Sequence, residues 1–321
     1  FWLPMAYSSA AAPVAALFAI MTKLGVYAIL RVWTLLFPQD AGVSALFGGP
    51  VLVGLGLATL TFGIIGVIAS QHLNRMVAFC AIVSSGTLLA ALGFGQPAVT
   101  GGALYYTLGS TLAVSAFFLL TELIDRTREV EENPIYVSEV EPDDSFAYPV
   151  DLVPVRDVNL DDDEEALFGR AIPAAMAFLG LAFIVCALTI AGLPPMAGFV
   201  GKVVMLSALL NPGGFGEQAP VSLAAWALLA LLVVGGLLTT IAMSRAGVRY
   251  FWAPQGRAVP RLRIIETVPI AMLLLLIGAL VWQADAVLRY ANATARSLHD
   301  PREYIGSVVS TKPLPSPHTT G

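Results

Sequence analysis

The sequence has little charge and few of the residue types that form disulfides or bind metals. Only 12% of its 321 residues are charged and 57% are hydrophobic, whereas an ordinary soluble domain is about 25% charged. This composition excludes a disordered chain and disfavours a water-soluble globule. Because Cys80 and Cys186 lie inside apolar runs and the three histidines are scattered, neither a disulfide framework nor a metal site is expected.

Motifs of nucleotide and acyl chemistry are also missing. The sequence contains no phosphate-cradling glycine-rich loop and no nucleophile elbow, so ATP-driven pumping and hydrolysis are disfavoured. We therefore expect no enzyme activity, no cofactor and no nucleic-acid partner.

The few charges are unevenly distributed. The segment from Asp125 to Arg170 holds 15 of the 22 acidic residues but only 4 of the 17 basic ones. A block of like charge is usually a solvated loop, and docking of a neighbouring subunit is the alternative. We predict an acidic cytoplasmic loop over 125–170.

Seven apolar runs are long enough to cross a bilayer, which takes about 20 residues in a helix. Their apolar residues lie all round each helix, as expected in lipid or among other helices. The sequence thus predicts an all-α polytopic membrane protein, with four spans in 1–124, three in 171–290 and an extramembrane tail over 291–321. The predicted spans are 13–37, 47–70, 76–94, 102–124, 171–210, 221–243 and 267–288.

The fifth run is too long for one uninterrupted helix. In its middle lie two prolines, which remove backbone donors, between two glycines, which tolerate unusual dihedral angles. We interpret the run as one broken span, because irregular backbone at membrane depth is typical of transport sites. A tight loop between two helices is the alternative. The break residues are Gly192, Pro194, Pro195 and Gly198.

Basic residues set the predicted orientation. Five arginines lie between the last two spans, which places that loop in the cytoplasm. Counting back places the acidic loop inside as well, and leaves three loops without lysine or arginine outside: 38–46, 96–101 and 211–220. The arginines are Arg245, Arg249, Arg257, Arg261 and Arg263.

Two lysines are the main candidates for chemistry. Lys23 lies in the middle of the first span and Lys202 directly after the helix break. An ionisable group at this depth costs at least about 2.5–3.5 kcal/mol and indicates function by default. Burial disfavours the ammonium form, so two such lysines along a hydrated path can pass protons. The alternatives are a structural ion pair and a lysine whose amine reaches the membrane interface.

Several polar residues are candidates for a supporting role. Glu122 lies one helical turn before Arg126, which favours an interfacial ion pair; a counter-ion to an intramembrane lysine is the alternative. Hydroxyl groups such as those of Ser84 and Tyr106 could line a water path, although most such groups serve helix packing. The supporting candidates are Thr22, Tyr27, Ser110, Thr111 and Glu122.

Three ordered motifs carry a family resemblance. Residues 2–7 with 12–31 resemble the signature of the proton-translocating antiporter-like subunits shared by respiratory complex I and Mrp-type cation/proton antiporters. Residues 74–79 resemble that family's Lys-Arg-x-x-Ala-Tyr segment, and 192–202 its broken-helix motif. In detail the chain is similar to the D-type subunits of Mrp antiporters, which are called Pha in their potassium-linked form.

The resemblance implies a fourteen-helix fold with two inverted repeats, of which this chain would be the C-terminal half. It implies Lys23 as the central relay and Lys202 as the relay of the broken helix. The family's remaining glutamate–lysine pair would precede Phe1. Gly109 stands where complex I relatives often have a histidine, so Ser110, Thr111 and water would have to bridge that helix.

The implied function is proton conduction within a multisubunit antiporter, which exchanges protons for sodium or potassium ions across the lipid bilayer of the bacterial inner membrane. The partners would be the other subunits of that complex. One alternative is a proton-pumping subunit of complex I or of a membrane-bound hydrogenase. Another is a largely structural subunit.

Overall fold

The computed structural model describes residues 2–132, 174–213, 220–252 and 263–310, which form helices and connecting turns without a β-strand in these ranges. Seven of the helices described are long and apolar enough to span a membrane, which confirms the all-α polytopic fold. The helices are α1 (Leu3–Ser9), α2 (Ala12–Leu36), α3 (Gly49–Ala69), α4 (Leu73–Gly93), α5 (Pro97–Glu132), α6 (Ala174–Ala191), α7 (Ala197–Leu210), α8 (Leu223–Gly247), α9 (Ile264–Trp282), α10 (Ala284–His299) and α11 (Arg302–Val309).

Local sequence explains where the helices begin. Pro13, Pro50 and Pro97 lie in the first turns of α2, α3 and α5, where a missing N–H leaves no hydrogen bond unmade. The Ser222 side chain caps α8 by accepting a hydrogen bond from the Ala225 N–H. Most span boundaries therefore lie within a few residues of those predicted.

Two predicted boundaries differ from the structure. Helix α5 continues to Glu132, into the segment predicted as a loop, and the rest of that acidic segment lies outside the described residues. Helix α9 ends at Trp282 instead of continuing to residue 288. The next helix, α10, is strongly amphipathic and packs on α5 through Ala291, Ala295 and Leu298, so its charged face stays outside the apolar layer.

The polar contacts define two ends of the helix bundle. At the end that we call the basic end, Arg245 donates to the Ile68 carbonyl at 2.8 Å, and Arg126 pairs with Glu266 at 2.7 Å. At the distal end, Gln39 donates to the Gly95 carbonyl at 2.8 Å. Arg245 at the end of α8 and Arg126 at the start of the acidic segment thus lie at one end, as the predicted orientation requires.

Helix α4 is the centre of the bundle. In its apolar span, 89% of the residues are buried, more than in any other candidate span of the described chain. It packs very tightly on α3: a Cβ at Gly56 would lie 2.2 Å from the Ala90 nitrogen, and one at Gly86 would lie 2.5 Å from the Leu60 nitrogen. Only glycine allows the backbones of α3 and α4 to approach each other so closely. On its other faces α4 contacts α2 and α5.

Candidate functional site

Helices α6 and α7 form one broken span that runs antiparallel to α5. The rings of Phe183 and Phe117 lie 5.4 Å apart, and further along the span Ala197 and Met205 lie against Gly109 and Gly102. As the chain advances from α6 through the break into α7, its contacts on α5 move from Phe117 to Gly109 and then to Gly102. A tight loop between two antiparallel helices would reverse that order, so the predicted single broken span is confirmed.

The amine of Lys202 lies at the break. This side chain is 8% exposed, and its Nζ donates to the carbonyls of Ala191 at 2.8 Å and Ile190 at 3.4 Å. These carbonyls belong to the last turn of α6 and have no partner within their own helix. The partial negative charge of a helix C-terminus stabilises a nearby ammonium group, so the interruption itself supplies the environment of the lysine.

Close contacts explain the two glycines of the break. Gly192 has a φ of +78°, and a Cβ there would lie 2.6 Å from the Lys202 Nζ. A Cβ at Gly198 would lie 1.9 Å from the Thr189 oxygen. Residues with side chains would therefore push apart the two half-helices and displace the lysine. Pro194 and Pro195 occupy the non-helical connection between α6 and α7.

Lys23 is also buried, at 5% exposure, and faces α4. Its Nζ donates to the hydroxyl of Ser84 and, at 3.2 Å, to that of Ser85. Both serine hydroxyls donate their own proton to the Ala81 carbonyl, each at 2.9 Å, which leaves their lone pairs free to accept from the amine.

Both lysines therefore have neutral partners. Among the residues that the structure describes, no carboxylate pairs with Lys23 or Lys202. A buried ammonium without a counter-ion is poorly stabilised, so the neutral amine is accessible to such a group. This arrangement suits the uptake and release of a proton better than a permanent ion pair.

A polar stripe on α4 includes the hydroxyl group that Lys23 contacts. Cys80, Ser84 and Thr87 are spaced four and three residues apart and thus share one face of the helix. Ser84 contacts Lys23, and Cys80, one turn earlier on the same helix, lies in the neighbourhood of Lys202. The hydroxyl of Tyr106, from α5, faces Thr87. We call Cys80, Ser84, Thr87 and Tyr106 the α4 stripe; all four are at most 3% exposed.

A cavity at the basic end reaches the Tyr7 side chain. It has a volume of about 320 Å³ and is lined by Tyr7, Asn74, Glu122, Asp125 and Arg126, among others. The buried Tyr7 hydroxyl faces Thr22 but makes no hydrogen bond of ordinary geometry, while Thr22 donates to the Ala19 carbonyl at 2.8 Å. A polar cavity of this size has room for several waters, which occupy about 30 Å³ each.

The other predicted supporting residues form no hydrogen bond with either lysine in the described chain. Glu122 accepts from Arg126 at 2.6 Å, which is the ion pair that their spacing predicts. Ser110 and Thr111 both donate to the Thr107 carbonyl of their own helix, at 3.2 and 2.6 Å. Tyr27 is 44% exposed on α2 and does not line the α4 stripe.

Close packing explains why residue 109 is a glycine. A Cβ there would lie 3.1 Å from the Ala197 Cβ and 3.6 Å from Leu280. Helix α7 and helix α9 thus occupy the space that a histidine side chain would need. Of the α4 stripe, sequence reasoning singled out Ser84 and Tyr106 only as general hydroxyl groups and gave no function to Cys80 or Thr87; their spacing in an apolar helix was the available signal.

Comparisons with known proteins agree with this geometry. Residues 1–138 match the family described as NADH:quinone oxidoreductase/Mrp antiporter, TM. The chain is 42% identical over 313 residues to a protein of Rhizobium meliloti that is named as a probable K(+)/H(+) antiporter subunit of the D type, covering 97% of this chain and 55% of the relative. Residues 1–138 therefore carry a membrane domain of the NADH:quinone oxidoreductase/Mrp antiporter family.

Further relatives within the antiporter family support the assignment. The D-type Na(+)/H(+) antiporter subunit of Bacillus subtilis is 27% identical, with 96% of this chain and 54% of the relative covered. The Mrp complex from Dietzia sp. DQ12-45-1b contains a chain with the same fold, at a TM-score of 0.70 and 19% identity, covering 96% of this chain and 57% of that one. The chain thus spans about half the length of the relatives that it matches, and it is a multi-pass membrane protein.

Proposed function

We propose that this chain conducts protons as part of a multisubunit antiporter that exchanges external protons for internal sodium or potassium ions. The observation that carries the proposal is the pair of buried lysines, Lys23 and Lys202, together with the α4 stripe. Two relatives are named as subunits of K(+)/H(+) and Na(+)/H(+) antiporters. These names favour cation/proton exchange over redox-driven proton pumping.

In this proposal the two lysines hold the proton in turn. Lys23 is the middle relay, supplied with protons from the Tyr7 cavity through Thr22 and water. Lys202 is the relay nearer the other exit, where its amine exchanges between the α6 carbonyls and water in the break. Small polar groups of the α4 stripe hold the waters between them, and each lysine takes up charge as the other releases it.

The partners in this proposal are the other subunits of the complex. Large side chains on the outward face of α2 are exposed in the described chain, among them Leu17, Met21 and Leu24. An apolar face of this extent suits lipid or further membrane helices. The relatives, which are about twice as long as this chain and are named as subunits, favour protein helices over lipid for part of it.

The experiment is cation-driven proton flux in vesicles that contain the complete complex. After a pH gradient is imposed, addition of sodium or potassium ions should dissipate it without any electron donor. Formation of a pH gradient on addition of NADH or another reductant, with no response to either cation, would favour the alternative of a redox-driven pump in the manner of complex I. Comparison of the two ions assigns the cation.

A second arm tests whether the chain has a structural role only. Lys23→Ala should abolish the cation-driven flux while the complex assembles at a normal level. Normal flux from this variant would support a structural subunit and overturn the proposed relay.

A further inference from the structure

A second cavity at the basic end is lined by positive charge. It has a volume of about 180 Å³ and lies between the turn joining α3 to α4 and the end of α8. Arg245, Arg249 and His72 line it. Arg245 lies in the last turn of α8, Arg249 lies just after the end of that helix, and both side chains line the same cavity. We call this the Arg245 cavity.

Backbone contacts fix both arginines at the cavity and leave most of their donors free. Arg245 Nη2 donates to the Ile68 carbonyl at 2.8 Å, and Arg249 Nη1 donates to the Gln71 carbonyl at 3.1 Å. Each guanidinium group has five N–H donors. Within the described ranges neither arginine has an acidic partner, so the positive charge of the cavity is not neutralised there.

The start of α4 adds to the positive potential. Leu73 and Met76 of its first turn line the cavity. The His72 side chain does not cap the helix, and the first N–H groups of any helix lack partners within it. The positive end of the α4 dipole therefore points towards the same space as the two guanidinium groups.

The depth of the cavity selects the source of the anion. It lies where α3 ends at Ala69 and α8 ends at Gly247, which is the level of lipid headgroups for helices that span the bilayer. Outward-facing apolar side chains adjoin it, with Ile68 37% and Val248 59% exposed. Such a site offers donors to a phosphate group and an apolar surface to acyl chains.

We propose that the Arg245 cavity binds the phosphodiester headgroup of an anionic lipid. Guanidinium groups bind phosphate oxygens in a planar, directional manner, and basic pockets between membrane helices are known to hold such headgroups. The cavity volume exceeds the roughly 30 Å³ of a single water several-fold. The site does not depend on the proton relay, because its residues do not contact Lys23 or Lys202.

Native mass spectrometry of the complete complex, supplemented with phosphatidylglycerol or phosphatidylcholine, tests the proposal. The wild type should retain phosphatidylglycerol selectively, and Arg245→Gln/Arg249→Gln should lower that retention at least tenfold. The matched control is Arg75→Gln, an exposed arginine at the same end that does not line the cavity. Equal loss in the control would mean diffuse attraction to basic residues and would overturn the site.

Two further measurements test whether misfolding or the binding of free phosphate could explain the result. His72→Glu adds a negative charge at the rim while sparing the arginine contacts to the backbone, and should reduce retention to the same degree. Inorganic phosphate at the concentration of the lipid should not displace it. Unchanged retention in His72→Glu, or displacement by inorganic phosphate, would contradict a lipid headgroup site.

Discussion

The amine of Lys202 donates a 2.8 Å hydrogen bond to the carbonyl of Ala191, across the interruption between α6 and α7. The group proposed to move the proton is therefore bound to the carbonyl left unpaired by the break. Any change in the geometry of the break alters the partner of the lysine. The break and the lysine thus form one functional unit.

Gly198→Ala should disrupt this unit. Its Cβ would lie 1.9 Å from the Thr189 oxygen, so α7 must move, at a cost of about 1–3 kcal/mol for overpacking. We expect loss of cation-driven flux and lower thermal stability of the complex. Gly278→Ala is the control, because nothing lies within 4 Å of that position in the described chain; equal effects of both variants would contradict the close contact.

Ser84→Ala should impair the relay at Lys23. The change removes an acceptor of the buried amine, and an unsatisfied buried donor costs about 1–3 kcal/mol. Flux in vesicles should decrease about tenfold, while Thr59→Ala, which removes an exposed hydroxyl bonded only to its own helix, should have no effect. Wild-type flux from Ser84→Ala would exclude this serine from the path.

Thr87→Val tests the α4 stripe with almost no change in volume. Thr87 and Thr121 are both 0% exposed, and each donates to a carbonyl of its own helix, at 2.9 and 2.8 Å. Only Thr87 faces Tyr106. We expect Thr87→Val to lower proton flux and Thr121→Val to leave it unchanged. Similar flux from the two variants would show that the stripe does not hold the conducting waters.

His299 makes the stability of the contact between α10 and α5 depend on pH. Burial lowers the pKa of its imidazole below the ordinary value, and its Nε2 lies 2.9 Å from the Thr100 hydroxyl. The folded state thus binds this proton less readily than the unfolded state. The contact is fully stabilised above pH about 6.5 and loses stability as the pH decreases below that value.

Hydrogen exchange of the α10 amides, corrected for intrinsic rates, measures this effect. Protection in the wild type should be lower at a pH of about 5.5 than at about 7.5. In His299→Gln the difference should disappear. Retention of the full difference in that variant would assign it to another group.

The sequence allowed the two lysines and the helix break to be predicted, because each stands out within its own segment. A charge in an apolar run costs several kcal/mol, and paired prolines interrupt a helix wherever they occur. The α4 stripe could not be predicted in this way. Cys80 and Thr87 are common in buried helices, and their position near Lys23 and Lys202 depends on α4 being the central helix.

The end of the last span shows the same limitation. The run of apolar residues predicts a span that continues to residue 288, but helix α9 ends at Trp282. The chain turns there because α10 packs its small residues on α5, near Gly101, where an added Cβ would lie 2.0 Å from the Asn292 side chain. Such a contact between distant segments leaves no local signal in either of them.

Lys202→Arg, assayed by cation-driven proton flux in vesicles that contain the complete complex, tests the central claim most directly. Arginine retains the positive charge but does not release its proton in proteins. If Lys202 relays protons, flux should decrease to the level of vesicles without the complex, at normal assembly. Flux near the wild-type rate would mean that only the charge is needed, and would contradict the relay.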